Sequence, residues 1–157
     1  SNIIDRLLKI AALDEGQRGE SISINLEEYL KSQLDDLRML QPKRSIKFSG
    51  GDLTIKAPYE LLDILISNLL TNARVHTQKE APINVTLKGR SLIIEDGGPG
   101  LKEIPDKPFK RFDSSRSRET GGSGLGMSLI QKSAKELGAK IQFGKSDLGG
   151  LKVELLF

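Results

Sequence analysis

The stretch from Pro58 to Thr77, PYELLDILISNLLTNARVHT, restricts what this chain can fold into more than any other. Leu61, Ile64, Leu65 and Leu69 recur at helical spacing, and Pro58 suits the first turn of a helix, where its missing N–H leaves no bond unmade. A helix with such a face must bury it against another layer, and the chain that follows supplies strands. PINVTL and SLIIE read as two strands joined by Lys88-Gly89-Arg90, and KIQFG and LKVELLF as two more about Asp147 to Gly150. Between these pairs, GLGMSLIQKSAKELG returns to helical spacing, with Gly138 as its C-terminal cap. Upstream, Ile3 to Leu13 carries a helical stripe that the polar run Asp14 to Ser21 ends. A short strand at Ile22 to Ile24 follows, then a helix from about Leu26 with Asn25 as N-cap, Glu28 three residues on and Pro42 beyond its end. SIKFSG and DLTIK read as a hairpin about Gly50-Gly51-Asp52. Helices and hairpins in this order predict an α+β architecture, one mixed sheet with helices packed on one face.

At 157 residues the chain is long enough for one domain with a real core. It has no cysteine and a single histidine, which excludes disulfides, thiolate metal sites and multi-histidine cages. No apolar run approaches membrane-spanning length. The net charge of +3 comes from lysines and arginines spread along the chain, not gathered in a block, so no nucleic-acid partner is expected. No signal peptide is visible, and the opening Ser1-Asn2 reads as the edge of a fragment excised from a longer protein.

Asn68 and Asn72 lie four apart and so share one helix face. With Leu61, Ile64, Leu65 and Leu69 nearby, that face is expected to be partly buried, where each unpaired amide group costs ~1–3 kcal/mol. Two readings stay open: both amides bond to neighbouring backbone, or an amide oxygen ligates a hard cation such as magnesium, whose remaining shell is water and phosphate. Asp96 stands at the end of a strand beside a chain reversal at Gly97, Gly98 and Gly100, and DGG on its own is ordinary turn chemistry. A second glycine cluster, GGSGLGMSL, opens another helix, where glycine lets backbone N–H groups and the helix dipole approach an anion. Between the clusters, residues 97–124 are polar and basic, with Lys107, Lys110, Arg111, Arg116 and Arg118. A stretch this long without periodicity reads as a functional lid or a disordered segment. A nucleoside triphosphate would use all of these features together.

In this order the residues resemble the ATP-binding catalytic domain of sensor histidine kinases, within the wider GHKL group that includes type II gyrases and heat-shock chaperone ATPases. SNLLTNARVHT resembles the family's N box, EDGGPGL its G1 box, KPFKRF its F box and GGSGLGMSL its G2 box. The resemblance implies a two-layer sandwich with a flexible ATP lid, in which Asp96 accepts the adenine amino group while Gly98, Gly100 and Leu101 shape the loop beneath the base. It further implies that Asn72 holds Mg2+, that Asn68 assists at the phosphates or metal, and that Ser123, Gly124, Leu125, Gly126 and Met127 cradle phosphate. Phe109 would anchor the lid, Arg111 would neutralise phosphate charge, and His76 would line the nucleotide. Residues 1–15 resemble the end of a dimerisation helix and residues 20–157 the catalytic domain.

The hydrolytic relatives carry a glutamate one turn before the metal-binding asparagine, and that place is Asn68 here. An amide cannot act as general base, so transfer of the γ-phosphoryl group to a protein side chain is expected over rapid hydrolysis. Asn68, Asn72 and Arg111 would carry the catalysis. The resemblance implies a dimerisation domain bearing the acceptor histidine, a response regulator as second partner, a homodimeric full-length protein, and a place on the cytoplasmic side of a membrane-anchored bacterial sensor. Three positions depart from the family pattern. Gly97 stands where a polar residue is usual and is expected to loosen the base pocket, Val75 replaces a basic residue, and Phe112 follows Arg111 where a small residue is common. A free-standing serine kinase of the anti-sigma type and a non-catalytic nucleotide-binding scaffold are the rival readings.

Overall fold

The structure is a computed structural model that describes residues 19–75, 77, 78, 80–98 and 125–157, of which 125–127 are described by backbone alone. The elements are β1 (Ser21–Asn25), α1 (Leu26–Leu40), β2 (Ile46–Ser49), β3 (Thr54–Pro58), α2 (Tyr59–Val75), β4 (Ile83–Lys88), β5 (Ser91–Asp96), α3 (Leu125–Leu137), β6 (Lys140–Lys145) and β7 (Leu151–Leu156). Five strands form a mixed sheet in the order β2-β4-β5-β7-β6, with β2 parallel to β4 and the other neighbours antiparallel. β1 and β3 form a separate two-stranded antiparallel sheet.

Local chemistry sets most boundaries. Asn25 ends β1 and caps α1 without an intervening loop, its Oδ1 accepting from the Glu28 N–H at 3.1 Å. The Leu26 N–H, a donor that no turn of α1 can satisfy, reaches the Leu53 carbonyl at 2.9 Å. Gly89, at φ +60°, takes the first central position of the two-residue β4–β5 turn, a place that favours glycine. Gly138, at φ +72°, closes α3, and the Ala139 N–H bonds back to the Ala134 carbonyl at 2.9 Å. Pro58 is the last residue of β3, paired with Ser21, and stands one residue before α2 instead of inside its first turn.

The expected hairpin of SIKFSG with DLTIK does not form, and the single sheet is replaced by two. β2 joins the large sheet beside β4 while β3 pairs with β1. Gly50 and Gly51 do not adopt the positive φ that a tight hairpin turn requires. Gly51 instead runs against β4, where an added Cβ would lie 2.8 Å from the Leu87 carbonyl oxygen. The glycine therefore serves close passage between backbones, not reversal.

Strand alternation sends Val85, Leu87, Leu92, Ile94, Val153 and Leu155 to one face of the large sheet, and all are buried with the helices in one core. The opposite face carries Asn84, Thr86, Glu95, Lys152 and Glu154. From α1 come Leu26, Leu30 and Leu34, four apart and fully buried, and from α2 Leu62, Leu65, Ile66 and Leu69. Leu61 and Ile64, on another side of α2, pack against Leu129 of α3.

One polar contact ties α1 to α2. The Tyr29 hydroxyl, on a ring only 7% exposed, donates to Asp63 Oδ1 at 2.6 Å. Burial first, and then the bond to Asp63, raise this phenol well above its ordinary value. Tyr29→Phe is expected to lower unfolding free energy by about 1.5–3 kcal/mol, since the bond goes to a charged acceptor. The folded state holds the tyrosine proton longer than the unfolded one, so this part of the stability is full below the ordinary tyrosine pKa of ~10 and is lost as pH rises beyond it. Denaturant titrations from pH 8 to 11 should therefore fall less steeply for the variant; parallel curves would mean that folding does not raise the Tyr29 hydroxyl above its ordinary value.

Candidate functional site

Asp96 is the last residue of β5, and its position continues the inward alternation of Leu92 and Ile94. The same pleat that buries those two side chains beneath the helices carries the carboxylate inward, where it is 7% exposed. Oδ1 accepts two backbone N–H groups, from Gly98 at 3.0 Å and from Leu151 at 3.1 Å. Among the described residues both hydrogen bonds of this carboxylate fall on the same oxygen, Oδ1.

Close backbone packing holds that orientation. Gly97 donates to the Pro82 carbonyl at 3.0 Å, and a Cβ on Gly97 would lie 2.7 Å from Pro82 Cδ. The turn at Gly97 is thus tied by backbone, and a side chain there would require the Pro82 ring to shift. A Cβ on Gly98 would lie 2.5 Å from Thr77 Cγ2, and one on Gly150 would overlap Asp96 Oδ1, the Asp96 carbonyl and the Gly98 nitrogen. Glycine-rich turn sequence here reflects tight approach of three chain segments around one carboxylate.

On α2, Leu61, Ile64, Asn68 and Asn72 follow one another at intervals of three and four and so form one stripe. Its first half packs on Leu129, which lies four residues, roughly 6 Å along the axis, from the start of α3. The face that carries both amides is therefore the face that meets the helix opened by the second glycine cluster. Asn68 is half-buried and its Nδ2 donates to the Ile64 carbonyl at 2.6 Å, the local backbone bond that was one of the two readings of this residue. That bond uses the donor end and directs the acceptor oxygen elsewhere. Asn72, one turn on, is also half-buried and engaged.

Of the residues expected to cradle phosphate, Leu125, Gly126 and Met127 form the first turn of α3. Unpaired N–H groups and the positive end of the helix dipole lie at such a turn. His76, Gly100, Leu101, Phe109, Arg111, Ser123 and Gly124 lie outside the described residues, as do Lys107, Lys110, Phe112, Arg116 and Arg118. So does the helix expected over Ile3 to Leu13. Val75 ends α2 and is exposed.

Two residues at this site were not singled out from sequence. Arg44, 4% exposed, donates through Nη1 to Thr77 Oγ1 (2.6 Å) and the Ala81 carbonyl (3.0 Å), and through Nη2 to the carbonyls of Gln78 (2.8 Å) and Arg74 (3.3 Å). Burial lowers this guanidinium from its ordinary value; Asp96 opposes the shift and Arg74 adds to it. Leu151 contributes only its N–H. Backbone donors leave no mark in a sequence, and a single arginine among 24 basic residues gives no sign of burial.

Residues 58–157, well over half of the chain, match the family described as histidine kinase-, DNA gyrase B-, and HSP90-like ATPases. Among curated proteins, the chain is 31% identical to the sensor protein RstB of Escherichia coli (strain K12) over 162 residues, covering 96% of this chain and 37% of that protein. It is 30% identical to the sensor protein QseC of the same strain over 161 residues, covering 99% of this chain and 36% of that one. The chain thus spans a little over a third of the length of the curated relatives it matches. Among solved structures, the mycobacterial sensor histidine kinase MprB superposes with a TM-score of 0.73 at 19% identity, covering 87% of this chain and 96% of that one, a likeness of fold. The match over residues 58–157 places this chain in the family of histidine kinase-, DNA gyrase B-, and HSP90-like ATPases.

Proposed function

We propose that residues 20–157 are the ATP-binding catalytic domain of a two-component sensor histidine kinase, which passes the γ-phosphoryl group of ATP to a histidine on a dimerisation domain for relay to a response regulator. The carrying observation is Asp96, buried at a strand end with Oδ1 committed to two backbone N–H groups. Such a carboxylate rewards an exocyclic amino group and opposes a carbonyl, which favours adenine over guanine. The family match supports this use of the fold, and the relatives named sensor proteins support it over the serine-kinase and scaffold readings.

ATP would supply the phosphoryl group and Mg2+ the charge that offsets its oxygens. The residues present fit both. Asn72 would hold the cation through its amide oxygen with Asn68 assisting, and the first turn of α3 would receive phosphate through backbone N–H groups. Among the described residues no group of three or more His, Cys, Asp or Glu could hold a metal ion, so a cation on the amide face would rely on amide, phosphate and water oxygens. Asn68 cannot take a proton from water, which keeps hydrolysis slow and leaves the phosphoryl group for transfer. Arg111, Phe109 and His76 would complete the nucleotide environment, and residues 1–15 would continue into the dimerisation helix of a homodimer. No helix of the described residues is long and apolar enough to cross a membrane.

Calorimetric titration tests the binding half. ATP should bind this chain more tightly with Mg2+ than without, and Asn72→Ala should remove that difference. Absence of binding by ATP and ADP at millimolar concentration would end the proposal. For the transfer half, labelled ATP is mixed with this chain and a separately made dimerisation domain. Acid-labile phosphate on the latter is the expected product, acid-stable phosphate would favour the serine-kinase reading, and binding without transfer the scaffold.

A further inference from the structure

We infer that Arg44 is a positioning residue for the adenine-reading turn, holding Asp96 in place through Thr77 and through the chain that enters β4; this rests on the reading that Asp96 meets the base. Arg44 lies in the connection between α1 and β2, and its neighbour Ser45 accepts the Ile83 N–H at 2.9 Å where β4 begins. From there the guanidinium fork spans four acceptors that follow one another along the exit from α2: the carbonyls of Arg74, Gln78 and Ala81 and the hydroxyl of Thr77. The Arg74 carbonyl belongs to the last turn of α2, whose carbonyls lack helical partners and attract a cation. A planar five-donor group can serve such a set, whereas a single ammonium cannot.

Two routes run from this hub to Asp96. Thr77 Oγ1 accepts from Arg44 and donates to the Ala73 carbonyl, both at 2.6 Å, so its rotamer is held from two sides. That rotamer sets the γ-methyl against Gly98, whose N–H fixes Asp96 Oδ1. By the second route, Arg44 holds the Ala81 carbonyl, the next residue Pro82 accepts the Gly97 N–H at 3.0 Å, and the Pro82 ring closes on Gly97. Both residues that follow Asp96 are thus seated on the segment that Arg44 staples. A guanidinium in this place decides the direction of the carboxylate without touching a nucleotide.

Arg44→Lys and Thr77→Ser separate positioning from general support. Lysine keeps the charge and loses the fork; serine keeps the hydroxyl bond to Arg44 and loses only the methyl that faces Gly98. ATP and GTP affinities are measured by calorimetry well below each variant's melting temperature, beside wild type and Asp96→Asn. Arg44→Lys is expected to weaken ATP binding roughly tenfold to a hundredfold, in line with the weakening of one hydrogen bond to the base, and to narrow the ATP-over-GTP preference while the Mg2+ effect persists. Thr77→Ser should narrow the preference with little change in melting temperature. If folded Arg44→Lys melts lower yet keeps the wild-type ratio of ATP to GTP, Arg44 is only a staple of the fold and the inference is overturned. If Arg44→Lys does not fold, Thr77→Ser decides, a retained ratio overturning the inference and a lost one supporting it. A wild type without preference for ATP would overturn the reading of Asp96 itself, and this inference with it.

Discussion

Asp96→Asn is expected to leave the fold intact and to weaken ATP binding roughly 30- to 150-fold, the loss of one hydrogen bond to a charged acceptor at ~2–3 kcal/mol. The expectation follows from how the two carboxylate oxygens are used. Oδ1 accepts from Gly98 and Leu151, and an asparagine can keep its carbonyl oxygen there, so the backbone bonds that close the turn survive. The amide nitrogen then takes the place of Oδ2 and presents a donor where an acceptor had been. An adenine amino group would face N–H against N–H, while the carbonyl of guanine or inosine would meet a partner. GTP affinity should therefore fall less than ATP affinity, or rise. Calorimetry with ATP, ITP and GTP on both proteins, alongside thermal melts, distinguishes this from a folding defect. Equal affinity of the wild type for ATP and GTP would contradict the role given to the carboxylate, as would a variant that melts normally and binds ATP as before.

Where information was local, the sequence was readable. The cap at Asn25, the β4–β5 turn at Gly89 and the end of α3 at Gly138 each follow from the conformational preference of one residue. Strand alternation also made the burial of Asp96 available in principle, because residues 92, 94 and 96 share a side whatever the tertiary structure. The partners of β2 and β3 were not readable, since SIKFSG, a glycine pair and DLTIK are the same local pattern whether the strands pair with each other or part. What separates the cases is Gly51 against the Leu87 backbone and β2 beside β4, a pairing between residues nearly forty positions apart. Arg44 was hidden for the same reason, as its acceptors lie 30 to 37 residues along the chain and three of the four are carbonyls. Asn68 shows a different limit. Its bond to the Ile64 carbonyl was foreseen as one option, but a bond by the donor end of an amide does not decide what its oxygen does.

Gly150→Ala should be as damaging to nucleotide binding as any change of the carboxylate itself, although the residue sits in a turn that sequence alone marks as a simple connection. Gly150 immediately precedes β7, and its carbonyl accepts the Ser146 N–H at 2.8 Å to close the β6–β7 turn. A methyl here would overlap Asp96 Oδ1, the Asp96 carbonyl oxygen and the Gly98 nitrogen, and two of those three are backbone atoms that no rotamer change can move aside. The start of β7 must then pull away from the end of β5. That shift breaks the Leu151 N–H bond to Asp96 and frees the carboxylate to turn. Overpacking of this kind costs roughly 1–3 kcal/mol of stability, and ATP affinity should fall by about a hundredfold as the acceptor leaves its place. Gly144→Ala is the matched control. It lies in β6 of the same hairpin, an added Cβ there meets nothing within 4 Å, and its φ is not in the positive range, so stability should stay within ~0.5 kcal/mol and binding should not change. Equal behaviour of the two variants would mean that the contact of β7 with the Asp96 turn carries no weight in holding the carboxylate. A loss confined to Gly150→Ala would show that the acceptor is held from the neighbouring strand β7 as well as from its own turn.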